Sequence, residues 1–360
     1  MKLYFKFALG ALLGLALFAF LNNTSWLAPI PETKPLLLAH RGMAQTFSHA
    51  GLGRNDCTAT LMDPPTHPYL ENTIASMAES FRLGADIAEI DIHPTTEGQF
   101  VVFHDWTLDC RTDGHGVTRE HSLAELKRVD IGYGYTADGG KTFPFRDKGV
   151  GQMPSLDEVF AAFPDKGLLI NVKGNSTAEG EQLAARLAKL PPERRKLLMI
   201  YGSAGRPTAA MRTRLPDVRA MDKPQLKNCA MRYAALGWSG YVPRSCRNTI
   251  IVVPINYTWL IWGWPNRFLA RMQAAGSLVF VAGPYHSNEE VGGINTEEQF
   301  RALPQDYRGG IWTDEIEVIA PLLRGPVSAR NNNVMPGLVR ASTSNRTFRQ
   351  RRGWPEQVRP

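Results

Sequence analysis

Residues 87–106 read IAEIDIHPTTEGQFVVFHDW, and two apolar runs in this stretch decide the fold. The runs at 87–92 and 100–103 predict strands, because each is short, rich in β-branched residues and bounded by polar residues. Glu89 and Asp91 are two residues apart, so both side chains leave the first strand on the same side. Two carboxylates within an apolar strand repel each other unless a cation or an arginine neutralises them. The pair therefore indicates a binding site.

Similar apolar runs recur along the chain and predict seven more strands, at 36–39, 168–172, 197–201, 218–221, 250–255, 278–282 and 310–313. Most are continuous rather than alternating, which is typical of a parallel sheet covered on both faces. Helical patterns lie between them, and Ser122 and Ser155 begin two of these as capping boxes. The alternation predicts an α/β fold, and a strand count near eight favours a TIM-type barrel in a single domain over residues 32–323. One of the nine candidates is expected to be a hairpin partner or an error.

Reactive side chains follow the predicted strands where they end. The set comprises His40-Arg41-Gly42, His104-Asp105, Asn171, Lys173 and Asp314. Each alone has a structural explanation, such as a hydrogen-bonded histidine or a lysine on the rim. In an α/β barrel, however, the carboxyl ends of all strands meet at one mouth, where catalytic groups lie. The set therefore predicts an active site.

These residues fall into an ordered series of motifs along the chain. The series is His40-Arg41-Gly42, Glu71-Asn72-Thr73, Glu89-Ile-Asp91, His104-Asp105 with Leu108 and Arg111-Thr112, the run MPSLDEVF at 153–160, and Trp312-Thr313-Asp314. In this order the motifs resemble those of the glycerophosphodiester phosphodiesterase family. The resemblance implies a TIM-type barrel, a divalent metal, and hydrolysis of glycerophosphodiesters to glycerol 3-phosphate and an alcohol.

The resemblance also implies a role for each matching residue. His40 and His104 become the general acid and base, in an order that the sequence leaves open. Glu89 and Asp91 become metal ligands, Arg41 and Lys173 become phosphate contacts, and Glu71 belongs to the substrate site. The chemistry agrees, since a phosphodiester anion needs neutralisation and imidazoles near neutral pKa suit proton transfer.

One position departs from the family pattern, which usually has Glu-x-Lys where this chain has Asn171-Val-Lys173. An asparagine carbonyl oxygen can bind Ca²⁺ or Mg²⁺, so Asn171 is a candidate third metal ligand. Because the site has one negative charge fewer, we expect weaker metal binding with activity retained.

The segment at 45–69 has no strand or helix period and predicts a long loop overhanging the mouth, either a substrate-shaping lid or a passive insertion. Four cysteines are compatible with two disulfides, and we expect Cys57 with Cys110 and Cys229 with Cys246, although free buried thiols remain an alternative. Three aromatic residues, Trp106, Tyr133 and Trp259, are candidates for a headgroup pocket, but core packing is favoured for each.

Both ends of the chain differ from its body. Residues 1–31 carry only Lys2 and Lys6 before an apolar run, which predicts a signal anchor or a cleaved signal peptide and an extracytoplasmic barrel. From Arg324 onward, eight arginines and one glutamate account for the whole net charge of +7. The body is neutral, which argues against nucleic acid as a partner. The segment 324–360 is expected to be a disordered basic tail, with a weak contact to anionic lipid as an alternative.

Two other functions stay open at this stage. A phospholipase-D-like enzyme on the same barrel would act on intact lipids, and the membrane segment makes that conceivable. A non-catalytic phosphate-binding envelope protein would explain Asn171 as part of a decayed metal site.

Overall fold

The structure is a computed structural model and describes residues 2–30, 34–48, 56–286 and 292–325. It contains one sheet with nine strands: β1 (Leu37–Ala39), β2 (Ile87–Pro94), β3 (Phe100–Val102), β4 (Gly167–Val172), β5 (Leu198–Gly202), β6 (Arg219–Asp222), β7 (Ile250–Pro254), β8 (Leu278–Ala282) and β9 (Gly310–Thr313). Eight strands follow the order β6-β5-β4-β2-β1-β9-β8-β7, and their ladders are parallel. β3 pairs antiparallel with β2 and is the hairpin partner.

The helices of the described residues are α1 (Lys2–Asn23), α2 (Ile74–Leu83), α3 (Leu123–Leu126), α4 (Leu156–Ala162), α5 (Thr177–Leu187), α6 (Pro192–Arg195), α7 (Gly205–Arg214), α8 (Lys223–Leu236), α9 (Asn266–Ala274), α10 (Glu297–Arg301) and α11 (Ile316–Arg324). The capping boxes predicted at Ser122 and Ser155 are confirmed, since each serine accepts a hydrogen bond from the backbone N–H of a glutamate three residues on.

Strand and helix alternate to form a nearly closed TIM-type barrel, so the predicted fold is confirmed. The nine predicted strands are all present, with bounds shifted by at most two residues. The ladder is interrupted between β6 and β7, and side chains bridge this gap. The Thr249 hydroxyl, just before β7, donates to the Ala220 carbonyl of β6 at 2.9 Å.

The barrel interior is filled by one side chain from each parallel strand, except β8, which contributes two. This cluster comprises Leu38, Ile87, Leu169, Met199, Met221, Ile250, Phe280, Ala282 and Trp312. Its tight packing explains the glycine at the start of β9, because a Cβ on Gly310 would lie 2.3 Å from the Phe280 ring. Two larger clusters fill the space between strands and helices. The polar mouth described below therefore rests on a close-packed apolar base.

All four cysteines are paired as predicted. Cys57–Cys110 joins the loop after β1 to the segment after β3, and Cys229–Cys246 joins α8 to the turn before β7. The loop predicted at 45–69 contains a short 3-10 helix, Thr58–Leu61, and an isolated bridge between Phe47 and Met62. Its residues 49–55 lie outside the described part of the chain.

The N-terminal helix α1 is long and apolar enough to cross a membrane, and none of its apolar window is buried. A signal sequence meets the same criteria, so the choice between anchor and cleaved peptide stays a prediction. The basic tail predicted at 324–360 falls outside the described residues from position 326 onward.

Thr249 offers a test of how the barrel is closed. Thr249→Val keeps the side-chain shape but leaves the buried Ala220 carbonyl without its donor, so we expect the free energy of unfolding to fall by about 1–3 kcal/mol. Urea unfolding of the full chain in detergent measures this. The matched control is Thr213→Val at an exposed position of α7, where the same change should stay within about 0.5 kcal/mol. Equal effects at both positions would contradict the closure argument.

Candidate active site

The turn after β1 carries the motif His40-Arg41-Gly42 into the mouth. Arg41 and Gly42 both have left-handed backbone conformations, with φ of 58° and 77°. Glycine is required at position 42, because a Cβ there would lie 2.5 Å from the Ser76 hydroxyl at the start of α2. This sharp turn directs the Arg41 backbone N–H to a Glu89 carboxylate oxygen at 3.1 Å.

Glu89 and Asp91 project from β2 into the mouth, and neither has exposed surface. One Glu89 oxygen accepts a hydrogen bond from the Tyr201 hydroxyl at 2.6 Å. The other lies 3.8 Å from Nε2 of His40. A buried carboxylate is therefore held between a phenol, a backbone N–H and an imidazole.

Asp91 is held by four side chains from different parts of the chain. Asn171 Nδ2 donates to one carboxylate oxygen at 2.8 Å, and Lys173 Nζ lies 3.3 Å from the same oxygen. Asn72 Nδ2 donates to the other oxygen at 3.0 Å, and Arg41 Nε lies 3.5 Å from it. The backbone N–H of Asp91 also donates to Asn72 Oδ1 at 3.0 Å, so Asn72 holds both the backbone and the carboxylate of Asp91.

Each mouth histidine is paired with a carboxylate through its Nδ1 atom. The distance from His40 to Asp314 is 2.5 Å, and the distance from His104 to Asp105 is 2.7 Å. A carboxylate at Nδ1 fixes the ring orientation and leaves Nε2 for other partners. Both imidazoles are thus preorganised as proton donors or acceptors.

Arg111 supports the His104–Asp105 pair and the Arg41 guanidinium from behind. Its guanidinium is buried and contacts Asp105 at 2.9 Å and Glu71 at 3.2 Å. Glu71 in turn contacts the Arg41 guanidinium at 3.2 Å. Arg111 also donates to the hydroxyl of Thr58, next to the Cys57–Cys110 disulfide, at 2.6 Å. The mouth therefore has a charged supporting layer tied to the loop after β1.

The electrostatics of the carboxylate pair are unbalanced. Burial and the negative charge of Asp91 raise the pKa of Glu89 to about 7. Burial also opposes ionisation of Asp91, but Lys173, His104 and Arg41 outweigh it and hold the Asp91 pKa well below its usual range. Burial, with the positive charges of Arg41 and Lys173, lowers the pKa of His104 to about 4. Asp91 therefore carries the fixed negative charge of the site.

The side-chain oxygens of Glu89, Asp91 and Asn171 are the candidate ligands for a divalent metal. Among the described residues, no group of three His, Cys, Asp or Glu side chains is placed to hold a metal ion. Two buried carboxylates with a neighbouring amide nevertheless fit a hard cation, since Mg²⁺ often uses one or two carboxylates together with substrate and water oxygens. Burial and then the charge of Asp91 raise the pKa of Glu89, and a cation at this position would favour the ionised carboxylate. The donor set therefore fits Ca²⁺ or Mg²⁺, with Asn171 turning its amide nitrogen toward Asp91 in the described arrangement.

The structure brings the eight predicted site residues together at one mouth. They are His40, Arg41, Glu71, Glu89, Asp91, His104, Asn171 and Lys173. Sequence reasoning assigned no role to Asn72, Tyr201 or Arg111, and it noted Asp314 only as a strand-end residue. Asn72 and Arg111 lie inside quoted motifs, which was the available signal, whereas Tyr201 had none.

The prediction that three aromatic residues pack in the core is wrong. Trp106 is 50% exposed, Tyr133 is 40% exposed and Trp259 is 78% exposed. Trp106 follows the His104-Asp105 pair, and the Arg119 guanidinium lies 4.2 Å from its ring centroid. These rings are surface features, and a sequence count of aromatic residues does not reveal this.

Part of the barrel matches a known protein family. Residues 40–198 match the model of the glycerophosphoryl diester phosphodiesterase family. The segment 40–198 therefore carries this family's domain. A glycerophosphodiester phosphodiesterase of Caldanaerobacter subterraneus subsp. tengcongensis is 38% identical over 104 residues, which are 29% of this chain and 39% of the relative. A lysophospholipase D of Rattus norvegicus is 31% identical over 142 residues, 38% of this chain and 41% of the relative.

The fold has relatives among solved structures. The glycerophosphoryl diester phosphodiesterase domain of the Mycobacterium tuberculosis protein Rv2277c aligns with a TM-score of 0.58 at 15% identity, over 80% of this chain and 99% of that one. This similarity shows a shared barrel. The chain spans about two fifths of the length of the curated relatives it matches. The family model matches residues 40–198, which include β2 to β4.

The pairing of His40 with Asp314 can be tested directly. Burial and Arg41 oppose protonation of His40, but Glu89 and Asp314 outweigh them and raise its pKa. Asp314→Asn removes one of these negative charges, so we expect the His40 pKa to fall. Nuclear magnetic resonance titration of histidine-labelled protein measures it.

The control for this titration is Asp109→Asn. Asp109 contacts the exposed His115 at 3.1 Å in a third aspartate–histidine pair, away from the mouth. This variant should leave the His40 titration unchanged. An unchanged His40 pKa in Asp314→Asn would show that Asp314 does not stabilise the protonated form of His40.

Proposed function

We propose that this chain hydrolyses glycerophosphodiesters to glycerol 3-phosphate and an alcohol. The observation that carries the proposal is the pair of carboxylate-held imidazoles, His40 and His104, beside the buried Glu89–Asp91 pair. Phosphodiester hydrolysis needs a base for the attacking oxygen and an acid for the leaving oxygen, and two imidazoles supply both. The match of residues 40–198 to the family model supports the same reaction class.

Each side chain of the mouth has a task in this reaction. Lys173 and Arg41 neutralise the phosphodiester anion, and Glu71 keeps the Arg41 guanidinium in place. One of His40 and His104 takes a proton from the attacking oxygen through Nε2, and the other gives a proton to the leaving oxygen. Asp314 and Asp105 hold the opposite ring nitrogens. The two histidines are held alike through Nδ1, but their pKa values are shifted in opposite directions, upward for His40 and downward for His104.

Glu89, Asp91 and Asn171 would hold a divalent cation, Ca²⁺ or Mg²⁺. When bound, such a cation stabilises negative charge on the phosphoryl oxygens. The protein holds the carboxylates at fixed positions for it through Tyr201 and Asn72.

The N-terminal segment supports a membrane location for this activity. We infer that α1 is a signal anchor and that the barrel lies outside the cytoplasm, because Lys2 and Lys6 precede the apolar run and the positive side remains inside. Two disulfides agree with an oxidising compartment.

The main test uses purified full chain with glycerophosphocholine and added Ca²⁺ or Mg²⁺. We expect release of glycerol 3-phosphate, and His40→Ala should lower the rate by about 10²–10⁴-fold because it removes one proton-transfer group. His115→Ala is the matched control, since His115 is an exposed histidine away from the mouth, and its rate should equal that of the unmodified chain.

The same assay separates the two alternative functions. Headgroup release from intact phosphatidylcholine, with no turnover of glycerophosphocholine, would favour the phospholipase-D-like enzyme, which the similarity to a lysophospholipase D supports. No turnover of either substrate with either metal would leave the phosphate-binding envelope protein.

Asn171 is predicted to limit metal affinity. Asn171→Glu adds a carboxylate beside Asp91, so we expect metal to bind at least about 10-fold more tightly, equivalent to about 1.4 kcal/mol. Isothermal titration calorimetry with Ca²⁺ and Mg²⁺ measures this without reference to turnover. The control Asn171→Gln lengthens the side chain without adding charge and should not tighten binding. Unchanged affinity in Asn171→Glu would place residue 171 outside the metal's ligands.

A further inference from the structure

The C-terminal end of α1 is fixed to the side of the barrel. Nδ2 of Asn22 and Nδ2 of Asn23 both donate to the Trp238 carbonyl, at 3.0 and 2.7 Å. Arg271 of α9 donates to the Asn22 carbonyl at 2.7 Å and to the Asn23 side chain at 2.9 Å. The apolar helix therefore ends in a cluster of hydrogen bonds with α9 and with the turn after α8.

The residues after α1 continue along the same surface. The backbone N–H of Asn266, the first residue of α9, donates to the Ser25 hydroxyl at 2.8 Å. Phe18 of α1 packs edge-on against Trp238, with ring centroids 6.3 Å apart. Because helix and barrel are joined on both sides of Asn23, a membrane that holds α1 must lie close to this part of the barrel.

Large aromatic and aliphatic side chains are exposed on this part of the barrel. Trp26 is 88% exposed, Trp259 is 78% exposed, and Leu27, Leu260 and Trp262 are also exposed. Tryptophan is enriched at membrane–water interfaces, where its apolar ring and polar N–H contact different layers. A set of exposed tryptophans beside the end of an apolar helix has the composition of an interfacial belt.

The charge of this region differs from that of the rest of the body. Residues 223–285 contain seven lysines and arginines and no aspartate or glutamate. Five of these cations are exposed: Lys223, Lys227, Arg232, Arg244 and Arg247. The segment forms α8, β7, α9 and β8, which is the sector that contacts α1. We call its exposed surface, together with Trp26 and Leu27, the docking face.

We propose that the docking face lies on the surface of the bilayer that contains α1, with its tryptophans in the interface and its cations on anionic lipid headgroups. This inference rests on the proposed membrane anchor and extends it from a tether to a fixed orientation of the barrel. Cations near an anionic membrane surface each strengthen attachment. A second copy of the chain fits this face poorly, because a two-fold contact would bring two acid-free cationic segments together.

The docking face reaches the mouth of the barrel. Trp259 and Leu260 belong to the 3-10 helix Ile255–Leu260, which directly follows the carboxyl end of β7. At the same rim, the ring centroid of Tyr257 lies 6.3 Å from that of Tyr285, a residue that follows β8. One edge of the mouth is therefore placed at the headgroup layer, and the enzyme acts at the membrane surface rather than at the end of a flexible tether.

The test measures the distance of two surface points from the lipid. Leu260→Cys on the docking face and Lys189→Cys after α5 on the other side of the barrel are each labelled with a fluorophore, since all four native cysteines are in disulfides. Full chain is reconstituted in vesicles of phosphatidylcholine and phosphatidylglycerol that contain a lipid with a nitroxide on its headgroup. We expect the fluorophore at 260 to be quenched severalfold more strongly than that at 189.

Variants of the docking face show which side chains are responsible. In the Leu260→Cys background, Trp26→Ser with Trp259→Ser should reduce quenching, and so should Lys227→Gln with Arg232→Gln. The matched control is Leu61→Ser with Val150→Ser, which removes two exposed apolar side chains elsewhere and should have no effect.

The outcomes separate docking from the other proposals. Vesicle flotation with equal quenching at 260 and 189 overturns the docking face but leaves the anchor intact. Failure of the chain to float overturns both. Quenching at 260 that survives removal of both tryptophans and both cations also overturns the proposal. No step measures turnover, so the result does not depend on the proposed phosphodiesterase activity.

Discussion

Two carboxylates without exposed surface, Glu89 and Asp91, lie on one strand of this barrel, and the rest of the mouth compensates for them. Burying like charges side by side is costly unless each oxygen finds a partner. Asp91 contacts Lys173 and accepts hydrogen bonds from two asparagines, and it stays ionised. Glu89 has a phenol and a backbone N–H, and burial together with Asp91 raises its pKa to about 7. Of the two carboxylates on this strand, Asp91 is therefore always charged, whereas the charge of Glu89 depends on its surroundings.

The compensation extends outward in a second layer. Arg111 has no direct part in the mouth, yet it holds Asp105, which holds His104, and Glu71, which holds Arg41. The disulfide at Cys110 fixes the chain immediately beside Arg111. A group placed for proton transfer loses efficiency when its orientation is free, so this supporting layer would hold His104 and Arg41 in place for the proposed reaction.

The sequence predicts the parts of this arrangement that depend on local pattern. Apolar runs mark the strands, and polar residues at their ends mark the mouth, because both follow from burial along a single segment. Tyr201 shows the limit. It reaches Glu89 because Asp91 is paired with Asn171 and Asn171 with Tyr201 in successive ladders, and such register is a property of the folded sheet. Trp259 shows another limit, since an aromatic residue in sequence gives no sign of whether a core or a membrane covers it.

Asn171 determines the charge available at the centre of the site. Glu89 and Asp91 bring at most two negative charges, and Lys173 and Arg41 bring two positive ones, although Arg41 is shared with Glu71. A glutamate at 171 would add one more negative charge to attract a cation, whereas the amide adds none. A bound cation would then take a larger share of its ligands from water and from the phosphate of the substrate, as Mg²⁺ often does. By reciprocity, a metal that bound mainly together with substrate would also raise the affinity for substrate, so in the proposed reaction the asparagine would favour binding of the two together.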